Sequence, residues 1–181
     1  MSKLIDLKEK KLSIAVKRAY RNWRYMFQEE YDADTRPSDI SDAAISFLAQ
    51  GKDKDVFYLY DLIMNLLGFG SGFKFNELSP RKKMETIDRY LILIDTVRFE
   101  CMKRLGWLER YPGDYLTFVE LVLDFDRLIH KIRSEEFCLR PDHKDYHRYN
   151  ELPLSEREIF VRNMIPDAIE KFQHHIKGDL S

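Results

Sequence analysis

The chain is poor in the residues that break or staple structure: its 181 residues include 2 Cys, 7 Gly and 6 Pro. The two cysteines, Cys101 and Cys138, have no metal-type spacing. They exclude a disulfide framework and read as thiols of a reducing compartment. Scarce glycine and proline argue against the turn-dense pattern of a sandwich or barrel and favour long regular elements. A membrane span needs about 20 mostly apolar residues, and none is visible. The most apolar stretch, Val56–Phe73, is interrupted by Asp61, Asn65 and three glycines. The opening MSKLIDLKEKK lacks the apolar centre of a secretory leader, so the expected location is the cytoplasm, with no membrane partner. Charge of one sign is missing too: the net charge of −1 gives no whole-molecule attraction to nucleic acid or lipid.

What is present is helical periodicity. The spacing predicts a first helix over Leu4–Tyr31, a short one from a Ser38 cap to Gln50, and a third over Asp55–Leu67. Ser79-Pro80, an N-cap followed by proline in the first turn, starts a fourth helix reaching Leu105. Asp114 is the expected cap of a fifth helix to Leu139. After a polar loop over 140–154, Ser155 and Glu158 form a capping box for a last helix that Pro166 kinks or splits. The fold class expected is all-α: one domain over 1–181, a bundle of six to seven helices. Its framework is the four long helices, the first, fourth, fifth and sixth, with the second and third packed against them.

Charge is distributed unevenly within this near-neutral chain. Residues 1–28 hold eight Lys/Arg and two Asp/Glu, whereas residues 29–55 hold eight Asp/Glu and three Lys/Arg. At about 100° per residue, Lys3, Lys10, Lys17, Arg21 and Arg24 fall in one narrow stripe of the first helix. Leu12, Val16, Ala19, Trp23 and Met26 fall opposite and are the expected core side. The stripe suits an anionic partner, with Tyr25 beside it able to stack on a base. The acidic segment that follows could also fold back and neutralise it.

Arg98 projects from the apolar face of the fourth helix. A buried guanidinium is costly unless paired, so Asp95 and Asp88 on the same helix are its expected partners in a buried, structural charge cluster. Asp126 and His130, four residues apart, read as a helix-edge pair. His143 and His147, with Asp142, Asp145 and Glu151 nearby, form the alternative metal site. Arg140 and His147, six residues between them, fit the Arg-x4–6-His spacing of helical HEPN-type ribonucleases, and no surrounding motif extends that match. The glycine-rich loop 68–75 follows a helix instead of a strand, so it lacks the context of a phosphate loop. Its Phe69, Phe73 and Phe75 are expected to tuck into the core or to form a small exposed patch. No Glu-x-x-His pair, nucleophile elbow, Walker A or His-Glu-x-x-His motif occurs, and no cofactor is implied.

The function expected is therefore non-catalytic: a protein-interaction or adaptor module, self-associating as a homodimer or binding a protein partner. Lys10, Lys17, Arg21 and Arg24 would make the contacts if that partner is anionic. Nucleic-acid binding through the same stripe is the first competitor. A metal-dependent or ribonuclease-like enzyme centred on His143 and His147 is the second.

Overall fold

The first amphipathic segment is two helices, not one. In the computed structural model, which describes residues 2–178 with side chains from residue 6 onward, α1 spans Ser2–Ala19 and α2 spans Arg21–Phe27. Lys3 of the cationic stripe has its side chain outside the described residues. The break falls at Tyr20, whose buried ring stacks on Tyr31 with centroids 5.2 Å apart. Turning the chain there drives Trp23 into the core, where its indole N–H donates to the Tyr58 carbonyl at 3.0 Å. A carbonyl at the end of α1 is met by the protein itself: the Arg24 guanidinium donates to the Lys17 oxygen.

Helix α3 (Asp42–Ala49) starts at Ser41, whose hydroxyl accepts from the Ala44 amide. The earlier expected cap, Ser38, lies instead in a 3-10 turn, Pro37–Asp39. Helix α4 (Asp53–Leu66) buries most of its surface, as its all-round apolar pattern predicts. Ser79 caps α5 (Pro80–Arg104), accepting from the Lys82 amide at 3.4 Å. This is the longest helix described, and both apolar clusters meet on it. Leu93, Ile94, Val97 and Cys101 join the first, with Trp23, Leu62 and Phe118. Phe99 and Met102 join the second, with Tyr111, Tyr149 and Val161. Leu91, one turn before the buried Ile94, is exposed.

The expected fifth helix is divided. A two-stranded antiparallel ribbon forms, in which β1 (Leu108–Arg110) aligns Leu108 with Leu139 of β2 (Cys138–Leu139). Between them lie α6 (Phe118–Leu123) and α7 (Phe125–Ser134). The cap is Thr117 and not Asp114: Thr117 accepts from the Glu120 amide at 3.0 Å, and the Glu120 carboxylate accepts from the Thr117 amide at 2.9 Å. Asp114 is drawn away to Lys103 at 2.9 Å. The supposed loop 140–154 contains α8 (Tyr146–Glu151). Helix α9 (Leu154–Asn163) begins at Pro153 without the Ser155 box, and α10 (Ile165–Gly178) follows, with Pro166 in its first turn as expected. Among the described residues helix occupies 71% and strand 3%, so the all-α class stands. No described helix is long and apolar enough to cross a membrane.

Candidate interaction surfaces

Three arginines of α5 are spent on the fold. Each reaches the carbonyl end of another element, where the partial negative charge of unsatisfied C=O groups receives a cation. Arg89, buried, donates from Nε to the Val122 oxygen at the end of α6 at 2.8 Å and lies 3.3 Å from Asp126. Arg98 donates from Nε to the Ala49 oxygen at the end of α3 at 2.9 Å. Arg104 donates to the Pro37 and Ile40 oxygens at 2.9 and 2.8 Å and pairs with Asp42 and Glu100 at 2.7 and 3.0 Å. Glu100, only 3% exposed, also accepts from the Tyr111 hydroxyl at 2.8 Å. Arg104 and Glu100, four residues apart, were not singled out in the sequence; that spacing was the available signal.

Asp88, Asp95 and Arg98 share no direct ion pair, although the Arg98 charge acts on Asp95. The counter-charge of Arg98 is the carboxyl end of α3. Asp95 pairs with Arg162 of α9 at 2.8 Å, and Asp88 is exposed. Burial raises the Asp95 carboxyl above the ordinary carboxylate range, opposed by Arg162. Gly51, at φ +67°, closes α3, and a Cβ there would lie 2.7 Å from the Arg98 guanidinium. The tight approach and the left-handed backbone both require glycine.

The cations of α1 and α2 stand differently. Lys10, Lys17 and Arg21 are exposed, and no ion pair joins them to a carboxylate among the described residues. The acidic segment has other occupations. Asp42 holds Arg104, Asp39 caps the Arg36 amide at 2.8 Å, Asp32 orders its own turn, and Glu29 accepts from Tyr31 at 3.0 Å. Arg24 alone of the stripe is engaged, at the end of α1. Residues Asp6–Ile14 are exposed on every side, so Leu12 is not core. Leu7, 58% exposed, and Ile14, 46% exposed, are seven residues apart and lie alongside the cationic stripe.

At the far end of α2 the surface turns aromatic. Tyr25 is 82% exposed. A shallow hollow lies between Met26, Phe47, Phe57 and Tyr58, with Lys54 at its edge. Phe73, 80% exposed, packs its ring on Phe57 with centroids 4.4 Å apart. Asp61 holds the glycine-rich loop in place: it accepts from the Gly72 amide at 3.0 Å, from Ser71 at 3.2 Å and from Asn22 at 2.8 Å. A Cβ at Gly72 would sit 3.0 Å from the Asp61 backbone. The loop is thus pinned by a buried carboxylate, and Phe73 stays outside the core.

A third feature is a groove of about 550 Å³, floored by α5 and walled by α7 and α9. Its lining mixes Ile92, Phe99 and Phe137 with Asp88, Asp95, Glu135, Glu136 and Glu158 and with Arg133, Arg157 and Arg162.

The histidine segment has local roles. His143 Nδ1 accepts from the Asp145 amide at 3.2 Å, and its ring meets Trp107 edge-on at 5.6 Å. Burial pushes its pKa below the ordinary histidine value. His147 is exposed against Tyr146, and Arg140 pairs with Asp142 at 3.2 Å. Among the described residues no three His, Cys, Asp or Glu side chains converge as a metal site. Asp126 turns to Arg89, leaving His130 exposed without that partner. Set beside known families, curated proteins and solved structures, the chain matches none.

Proposed function

We propose that this chain, acting as one helical unit over 1–181, is a non-catalytic protein-interaction or adaptor module that works in the cytoplasm through the face of α1 and α2. One observation carries the reading. Cations without partners and large exposed apolar side chains occupy the same two helices, whereas Arg89, Arg98 and Arg104 of α5 are satisfied by the fold. Protein interfaces favour such anchors: aromatic, methionine and arginine side chains backed by apolar area. Lys10, Lys17, Arg21 and Arg24 face an anionic partner, and Tyr25, Met26 and Phe73 supply apolar contact. Cys101 and Cys138 are unpaired thiols, in keeping with a reducing compartment.

Affinity capture from extract, with and without nuclease treatment, tests the reading. Wild-type protein is expected to retain protein partners or further copies of itself. The variant combining Lys10→Glu, Lys17→Glu and Arg21→Glu is expected to lose them. Recovery of nucleic acid alone, abolished by nuclease, would overturn the reading in favour of its competitor, nucleic-acid binding. The exposed Tyr25 ring beside Arg21 and Arg24 favours that competitor, because base–aromatic stacking and phosphate contact use this combination.

A further inference from the structure

The arm and the groove are complementary halves that one copy leaves unjoined. Helix α1 carries six Lys/Arg and two Asp/Glu, and its residues Asp6–Ile14 lie in solvent, so the groove of the same chain is not filled by them. The groove carries five carboxylates and three arginines. Asp88, at its edge, is exposed and makes no ion pair among the described residues. Apolar side chains flank both halves: Leu7 and Ile14 on the arm, Leu91 and Leu154 at the groove, all exposed. The arm also fits within the floor: Asp6–Ile14 spans about 12 Å, and α5 from Asp88 to Phe99 about 17 Å, at 1.5 Å per residue.

We infer that the groove between α5, α7 and α9 receives the α1 arm of a second copy of this chain. This rests on the interaction reading above and names the partner. The arm docks as an amphipathic helix in a groove: Leu7 and Ile14, at i and i+7, enter over Leu91 and Leu154, and the lysines face Asp88 and the net negative charge left after Asp95 and Glu158 pair with Arg162 and Glu136 with Arg157. When both copies insert their arms, the contact is two-fold and closed. The surplus of opposite charge makes association weaken with salt.

Sedimentation of the full chain over a range of concentrations provides the test, with Ile14→Asp on the arm and Leu91→Asp at the groove. Both positions are exposed, so both variants should keep the wild-type urea midpoint, which is measured alongside. Wild type is expected to approach twice its 21.8 kDa mass, and each variant alone to associate about tenfold more weakly or less. Mixing the two variants is expected to restore a 1:1 species, because one intact arm then meets one intact groove. A mass of 21.8 kDa at every concentration overturns the inference, as does association indifferent to Leu91→Asp or a mixture that restores nothing. If in any of these cases the α1 face still captures other proteins, the broader reading survives. If it captures only nucleic acid, both fall.

Discussion

Along α5, Arg89, Arg98 and Arg104 turn inward onto the carbonyl ends of α6, α3 and the 3-10 turn. Along α1 and the start of α2, Lys10, Lys17 and Arg21 stand in solvent without a carboxylate partner among the described residues. The difference teaches how to distinguish a structural cation from an available one. A guanidinium in an apolar face does not require an aspartate; a helix end offers several carbonyls in the fork geometry that arginine matches. Lysines on a projecting arm meet no such end, because among its described side chains the arm is packed only near its C-terminus, at Val16, Ala19 and Tyr20.

The comparison can be broken most severely at Arg104. Arg104→Met leaves Glu100 buried with Tyr111 as its remaining partner and strips the Pro37 and Ile40 carbonyls. Urea unfolding is expected to report a loss of about 3–5 kcal/mol, the usual cost of a broken buried pair. Arg89→Met comes next. It removes a charged donor from the Val122 oxygen, and the expected loss in the same assay is about 2–3 kcal/mol. Arg98 is less enclosed, and Arg98→Met should cost about 1–2 kcal/mol through the Ala49 carbonyl and the α3 dipole. Gly51→Ala attacks the same junction from the other side, through positive φ and the Arg98 contact, and should lower the thermal midpoint comparably.

Asp95 sharpens the contrast by titration. Burial raises its folded pKa above the unfolded value, near 3.9 for an aspartate, and Arg162 opposes the rise. Its contribution to stability is therefore full below the unfolded pKa and is lost as pH climbs through the folded one. Arg162→Met removes the opposing cation, so an NMR titration of the Asp95 carboxyl should show a still higher midpoint. An unchanged midpoint would mean that Arg162 does not govern this group.

The helices with strong end signals were legible in the sequence. Ser79-Pro80 marks the start of α5, and Gly51 the end of α3. The breaks inside long apolar patterns were not. Tyr20 and Asp124 interrupt helices whose periodicity continues past them, because burial of Trp23 and the Arg89 bond to Val122 act across the chain and leave no local mark. The cationic stripe was legible because it is a property of one helix. Its openness was not, since that depended on where the acids of residues 29–42 would be used. The direct partner of Asp95 was not legible either: Arg162 lies on α9, far along the chain.

Lys10, Lys17 and Arg21 of α1 and α2 are not spent on the fold. Urea unfolding of the Lys10→Glu, Lys17→Glu, Arg21→Glu variant tests it most directly. The unfolding free energy should stay within about 0.5 kcal/mol of wild type, as for surface positions without partners. A loss of about 2 kcal/mol or more, of the size expected for a charge-assisted hydrogen bond, would put these cations in the same class as the arginines of α5 and contradict the claim.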